Sequence, residues 1–143
     1  MDQMTAMPME TEQLLSLYDE AKDMLTEAAD YFGGPGSPSE LSLTGDNTLA
    51  YAEGSKCITA RLMEVMAWLF VQRAVMTGEM SAEESLKAGN RLAAVTVPSV
   101  DPSDASFGLP REFCSLDQRC GELYNRVQDI DNLMNAPTSS TAH

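Results

Sequence analysis

The sequence is short of the side chains that most enzymes use for catalysis. Its 143 residues contain a single histidine, His143, which stands at the end of a Ser/Thr-rich tail. Ser-His-Asp and Cys-His sites need a histidine that is held firmly beside the nucleophile. Acidic pairs such as Asp19-Glu20 and Glu83-Glu84 are typical of solvated helix faces rather than of acid/base catalysis. We therefore expect a protein that is not an enzyme.

Cysteine is also scarce, with three residues, Cys57, Cys114 and Cys120, and no CxxC pair among them. Cys114 and Cys120 are six residues apart, a spacing that does not present both thiols to one ion on a straight helix. An odd number of cysteines is typical of a reducing cytoplasm, where we expect buried thiols. The glycine-rich segment 33–36 lacks the preceding strand and the following Lys-Ser/Thr of a phosphate-binding loop. No metal and no cofactor are expected.

Basic residues are few, with nine Lys and Arg against 22 Asp and Glu, so the net charge is -13. Nucleic-acid affinity comes largely from Lys and Arg that displace counterions from phosphates, and this composition argues against it. A partner that is steered by charge would have to present a basic surface. The equal alternative is that the negative charge serves solubility alone.

No apolar run is long enough to cross a membrane. The longest extends from Leu62 to Met76, LMEVMAWLFVQRAVM, with only Glu64, Gln72 and Arg73 polar among its residues. It falls short of the roughly 20 apolar residues that a bilayer span needs. The N-terminus has neither the basic nor the apolar region of a secretion signal, which favours the cytoplasm. The run is typical of the central helix of a small bundle, with apolar surface available for a second subunit.

Apolar periodicity predicts three main helices and a short one. Spacings of three and four indicate a helix over residues 10–32, which the glycines of 33–36 end. A second helix should begin at Leu41 or Thr48 and end at Met76, and a capping-box-like start at Ser81 predicts a short helix to about Leu92. Residues 96–107 read as an irregular connection. Leu109-Pro110 should open the last helix.

The last helix carries a heptad seam, the geometry of left-handed bundle packing. We predict an all-α fold, an up-down-up three-helix bundle with a long central helix. It forms a single domain over residues 10–135, between a flexible N-terminus (1–9) and a flexible tail (136–143). The seam consists of Leu109, Phe113, Leu116, Cys120, Leu123, Val127, Ile130 and Met134.

Four residues in or beside the apolar run are candidates for a dimer or partner interface: Trp68, Gln72, Arg73 and Met76. Trp and Arg are common anchors of protein interfaces, and a long planar side chain in an apolar segment usually has a dedicated acceptor. In the alternative interpretation, Trp68 fills the core and Arg73 pairs with an acidic neighbour at the edge of the domain.

The same region resembles a known family. Residues 49–81, LAYAEGSKCITARLMEVMAWLFVQRAVMTGEMS, the later LP-REF and the helix through LYNRVQDIDNL are similar to the alphaproteobacterial RcdA family, regulators of CtrA degradation. The most specific elements are AYA, TARLM, WL, QRAV and GEMS in one register, and the similarity covers roughly residues 12–135. The sequence departs from the family in its short C-terminal tail and at Gly54 and Cys57.

The resemblance implies a dimeric three-helix bundle that serves as an adaptor for the ClpXP protease. Such adaptors dock on a primed protease complex and tether substrates, which raises their local concentration. The expected partners are a second copy of the chain, ClpXP, a response-regulator-type adaptor and substrate proteins. We expect delivery of cell-cycle regulatory proteins in the cytoplasm, with a cell pole as a further location. The alternative function is a helical scaffold that binds a response regulator or transcription factor without a role in proteolysis.

Overall fold

The computed structural model describes residues 10–95, 101, 104 and 107–135, and these are helical or irregular throughout, with no strand. The long α2, at about 1.5 Å per residue, measures roughly 46 Å. The predicted all-α bundle with a long central helix is confirmed. The helices are α1 (Thr11–Phe32), α2 (Asp46–Met76), α3 (Ala82–Ser85) and α4 (Arg111–Met134), with a 3-10 turn at Ala88–Asn90.

Several predicted segments lie outside this description. They are the flexible ends, 1–9 and 136–143, and most of the irregular connection 96–107. None of the helices in the described ranges has the length and apolarity that a membrane crossing needs.

The direction of the last helix differs from the predicted up-down-up order. Tyr51 near the start of α2 stacks on Phe113 near the start of α4, with ring centroids 4.5 Å apart. Trp68 near the end of α2 donates from Nε1 to Oδ1 of Asp131 near the end of α4, over 2.9 Å. The two helices are therefore parallel, and the order is up-down-down.

The connection between α2 and α4 explains this difference. In their described part, residues 77–110 contain one short helix, the 3-10 turn at Ala88–Asn90 and a further 3-10 residue at Phe107, so most of the connection is available to return along the bundle. An extended chain covers at most about 3.6 Å per residue, so roughly 14 residues are enough to retrace the length of α2. The prediction assumed turns too short for a crossover, and that assumption was wrong here.

Helix α1 is antiparallel to both of its neighbours. Phe32 at its end lies against Tyr51 at the start of α2, with ring centroids 6.2 Å apart. Ion pairs join Glu27 to Arg119 and Glu20 to Arg126, so positions descend along α1 as they ascend along α4. The antiparallel pairing of α1 with α2 agrees with the predicted chain reversal at residues 33–36.

The heptad seam of α4 forms the centre of the core, as predicted. Phe113, Leu116, Cys120, Leu123 and Val127 are buried. Leu109, Ile130 and Met134 are partly buried and pack against the same cluster. The remaining buried members of the cluster come from the first two helices: Leu14, Leu17, Ala21, Met24, Ala28, Tyr31, Tyr51, Ile58, Leu62, Val65, Met66, Trp68 and Leu69, with Tyr124 added from α4.

Two helix boundaries differ from their predictions. Helix α2 begins at Asp46, close to the later of the two predicted starts, because Gly45 has a positive φ of 58° and the Thr44 amide donates to Asn47 Oδ1 over 2.7 Å. Ser81 caps α3 as predicted, with the Glu84 amide donating to Ser81 Oγ over 3.0 Å. However, α3 ends at Ser85 rather than near Leu92, since the chain passes through the 3-10 turn and leaves it with extended backbone at Arg91.

Candidate interaction surface

One side of α2 is exposed in the described part of the chain, and we call it the outer face of α2. Its positions are three or four apart, so they lie along one side of the helix over roughly 32 Å. Three of them are large and apolar, with 50% (Leu49), 57% (Met63) and 51% (Phe70) of the side chain exposed. The outer face consists of Leu49, Ala52, Lys56, Ala60, Met63, Ala67 and Phe70.

Helix α1 extends this surface at one end. The rings of Tyr18 and Phe70 are in contact, with centroids 6.4 Å apart and planes tilted by 52°. Leu15 lies one turn before Tyr18 on α1 and is 56% exposed. Thr11 Oγ1 lies 4.0 Å from the sulfur of Met76, where α1 begins and α2 ends. The apolar surface therefore spans two helices.

An open apolar groove of about 730 Å³ lies at the opposite end of the same surface. Three members of the outer face, Ala52, Lys56 and Ala60, form part of its wall. The turn between α1 and α2 forms another part. The other lining residues are Phe32, Gly36, Pro38, Leu43, Thr48, Tyr51, Ser55 and Thr59.

The outer face carries no carboxylate, although the chain has a net charge of -13. Lys56 is its only charged residue; Glu53 flanks the face one turn from Leu49 and Lys56, Glu64 lies further round α2, and both acids are half-buried. Two acidic chains repel each other least when they approach through surfaces without carboxylates. Exposed apolar patches of this kind are typical of protein interfaces.

The four residues that the sequence nominated for an interface occupy different environments. Trp68 is 2% exposed and Gln72 is 5% exposed, so both are buried inside the chain. Met76 is half-buried and packs against the core, while Arg73 is exposed. No carboxylate among the described residues forms an ion pair with Arg73. The position of Trp68 matches the alternative interpretation, and a role of the four residues in binding stays a prediction.

Trp68 is held by a polar network that the sequence did not reveal. Asp131, 4% exposed, accepts from Trp68 Nε1 at one carboxylate oxygen. Its other oxygen accepts from Arg91 Nε over 3.1 Å and from Arg91 Nη2 over 2.9 Å. A buried carboxylate is tolerated when charged and hydrogen-bonding partners surround it in this way.

Sequence analysis did not identify the large residues of the outer face: Leu49, Met63 and Phe70. The sequence does contain a second apolar stripe with three- and four-residue spacings along α2. The spacing alone does not show which of the two stripes is buried. Attention to unusual residue types led instead to Trp68, whose indole is buried.

Two of the three cysteine thiols are buried inside the bundle, away from solvent. Burial raises the pKa of the Cys120 thiol to about 12, and it also raises the pKa of Cys57. Such thiols stay protonated near neutral pH and are poor nucleophiles. The part of the chain described by the structure contains no cluster of three or more potential metal ligands.

Comparison with known proteins places the chain in a family. The family model described as "Protein of unknown function (DUF1465)" matches residues 5–143. The crystal structure of RcdA from Caulobacter crescentus CB15 is similar, with 31% sequence identity over 90% of this chain and 96% of that chain, and a TM-score of 0.71. No curated protein matches the sequence significantly. The chain therefore belongs to the DUF1465 family, and it is an RcdA-like protein.

Proposed function

We propose that this chain is a non-enzymatic adaptor that helps to deliver cell-cycle regulatory proteins to the ClpXP protease. The observation that carries the proposal is the 31% identity to RcdA over nearly the whole chain, together with the shared bundle. An adaptor works by holding two proteins close together, which raises the effective concentration of the substrate at the protease. This task needs binding surfaces and no catalytic group.

The proposed adaptor is a homodimer that forms through the outer face of α2. Met63 and Phe70 are more than half exposed, and Tyr18 and Leu15 extend the apolar surface onto α1. Pairing this surface with a second copy removes its apolar area from water and brings no two carboxylates of the outer face together. A stable dimer buries about 1,200–2,000 Å² in total, an area that a surface roughly 32 Å long and two helices wide can supply.

The acidic remainder of the molecule is available for other partners. Helix α1 exposes Asp23 and Asp30, and α4 exposes Glu112 and Asp129. Protease, response-regulator-type adaptor and substrate would then bind away from the dimer contact, with charge affecting the rate of encounter. Cytoplasmic location, and a cell pole in particular, belongs to the same proposal and can be checked by microscopy of a fluorescent fusion.

A reconstituted degradation assay tests the proposal. Purified ClpXP, a candidate cell-cycle substrate and a partner response regulator are combined with and without this protein, and substrate loss is followed over time. We expect faster ATP-dependent turnover when the protein is present. The variant Phe70→Glu should reduce the effect, and Gln128→Glu serves as a matched control because it adds the same charge at an exposed position of α4.

An unchanged rate with folded and primed components would contradict the adaptor role. Capture of a response regulator or transcription factor in the same preparation would then favour the alternative, a helical scaffold without a role in proteolysis.

A further inference from the structure

The chain that returns from α2 towards α4 lies in the groove between these two helices. We call residues Arg91 to Val95 the strap; they follow the 3-10 turn, lie outside any helix or strand, and begin with extended backbone at Arg91. The backbone N–H of Ala93 donates to Glu64 Oε1 on α2 over 3.0 Å. The backbone carbonyl of Ala93 accepts from the Tyr124 hydroxyl on α4. One residue of the strap thus has both backbone groups bound by side chains of the groove.

An arginine anchors the strap two residues earlier. Arg91 donates from Nε and Nη2 to Oδ2 of Asp131, and Nη2 also lies 3.2 Å from Asn132 Oδ1. Asp131 is oriented independently of the strap, because Trp68 Nε1 binds its other oxygen and Asn135 Nδ2 lies 3.3 Å from the same atom. The groove therefore contains a preorganised, buried acceptor for a guanidinium group.

These contacts would serve any extended peptide with the same pattern. They use a backbone donor and acceptor of one residue, an arginine two positions before it, and the partly buried Leu92 and Val95 that pack against the core. The Ala93 side chain is exposed, so the groove does not select for this side chain. Recognition of extended peptides commonly combines main-chain hydrogen bonds with pockets for a few side chains.

The strap can exchange with a free peptide because each contact that holds it can be replaced by the same contact from the peptide. The Arg91 side chain is 36% exposed, and the strap has no helical or strand hydrogen bonds of its own. Segments outside the helices can open locally at a lower free energy than unfolding of the whole core. The helices on either side carry the buried cluster and stay in place when the strap leaves.

We propose that the groove between α2 and α4 is a peptide-binding site that the chain fills with its own strap. Its ligand is an extended segment of a partner protein, with an arginine two residues before the residue whose backbone Glu64 and Tyr124 bind. The site is separate from the outer face of α2 and does not depend on the proposed role in proteolysis.

The test uses the full chain and the synthetic, acetylated peptide AGNRLAAV, which has the sequence of residues 88–95. The strap is weakened in two ways: Arg91→Ala removes its anchor, and Ala93→Pro removes the N–H that binds Glu64. Both variants leave Glu64, Tyr124 and Asp131 in the groove. Fluorescence anisotropy of the labelled peptide should show binding at least tenfold tighter to either variant than to the wild type.

A peptide in which the arginine is replaced by alanine should lose most of this affinity, since Asp131 then has no guanidinium partner. The wild type supplies a test that needs no mutation. At millimolar peptide, exchange with the strap should shift the NMR signals of the Ala93 amide and of Trp68 Nε1–H, the chain's only indole. These are the atoms that change partner or neighbour.

The proposal is overturned if the wild-type signals do not move and neither folded variant binds the peptide. Equal binding of the arginine and alanine peptides would also overturn it, because the buried carboxylate would then not be the recognition element. Either result leaves the degradation assay unaffected, since that assay contains no peptide competitor.

Discussion

Helices α2 and α4 lie side by side and run in the same direction, yet they divide apolar and polar residues differently. Helix α4 places its apolar residues on one seam and fills its other positions with residues such as Glu122, Arg126 and Asp129. Helix α2 is apolar on its buried side and apolar again on its outer face, where Met63 and Phe70 meet solvent. A helix that is apolar all round is typical of a position with neighbours on every side. The single chain supplies those neighbours for only part of α2, and a second chain is the proposed neighbour of the rest.

The largest expected effect comes from two adjacent residues of α2, one on each side of the helix. Leu69→Ala should lower the free energy of unfolding by about 2–5 kcal/mol, because Leu69 is 1% exposed and its loss leaves a cavity. Phe70→Ala should cost less than about 1 kcal/mol at a protein concentration low enough to give monomers. Urea denaturation of both variants measures the difference. Equal losses would contradict the assignment of the two sides.

The second-largest loss of stability is expected at the hydrogen bond that joins Trp68 of α2 to Asp131 of α4. Asp131→Ala leaves the Trp68 indole N–H and the Arg91 guanidinium without their acceptor, and we expect a loss of about 3 kcal/mol. Asp131→Asn keeps an oxygen for Trp68 and should lose less. The same denaturation series, with Trp68 fluorescence as the signal, compares the two. A larger loss for the asparagine variant would contradict the network.

The close packing where α1 meets the start of α2 predicts a third effect. A Cβ at Gly36 would lie 2.2 Å from Cε2 of the buried Tyr31 ring, and the Gly36 carbonyl accepts from the Tyr51 hydroxyl. Gly36→Ala should therefore destabilise the fold by about 1–3 kcal/mol through overpacking. Gly89→Ala is the matched control, because a Cβ added at Gly89 would meet no neighbouring side chain or backbone within 4 Å. Thermal unfolding of the two variants measures the difference. Equal decreases in Tm would contradict this packing.

The buried seam of α4 predicts a loss of stability at alkaline pH. Burial raises the pKa of Cys120 from 9.0 to about 12, so the folded state favours the neutral thiol. The contribution is complete below about pH 9 and declines as the pH rises, because the unfolded thiol then loses its proton first. The free energy of unfolding of the wild type should fall as the pH rises from about 9 towards about 12, and more steeply than that of Cys120→Ala. Parallel curves would exclude a contribution from Cys120.

The smallest effect is expected on the exposed side of α4. Arg126 pairs with Glu20 at the surface, where solvent screens the attraction. Arg126→Ala should change the free energy of unfolding by less than about 1 kcal/mol and should leave self-association unchanged. A change in the mass of the particle would show that α4 also contributes to the dimer contact.

The contrast between α2 and α4 also explains what the sequence could predict. The seam from Leu109 to Met134 was predicted correctly, because the polar residues on the other face of α4 make the heptad repeat of apolar residues easy to recognise. The buried side of α2 could not be separated from its outer face, since Met63 and Leu69 are equally apolar in the sequence. The parallel direction of α4 was missed because it depends on the path of residues 77–110, which carries no periodic signal.

The candidate site was predicted less well than the fold. Trp68 stood out by residue type, but its hydrogen bond with Asp131 depends on residues 63 positions apart. Phe70 lies on the outer face because α1 and α4 occupy the other sides of α2, and this arrangement is a property of the packed bundle. Arg73 and Met76, at the end of the same helix, are the nominated residues whose side chains remain within reach of a partner.

The central claim is that a second chain covers the outer face of α2, and the mass of the particle in solution tests it most directly. Sedimentation equilibrium of the wild type, of Phe70→Glu and of the Gln128→Glu control would be compared at the same concentration. We predict twice the 15.5 kDa chain mass for the wild type and the control, and the mass of one chain for Phe70→Glu. A monomeric wild type, or a Phe70→Glu variant that remains dimeric, would contradict the claim.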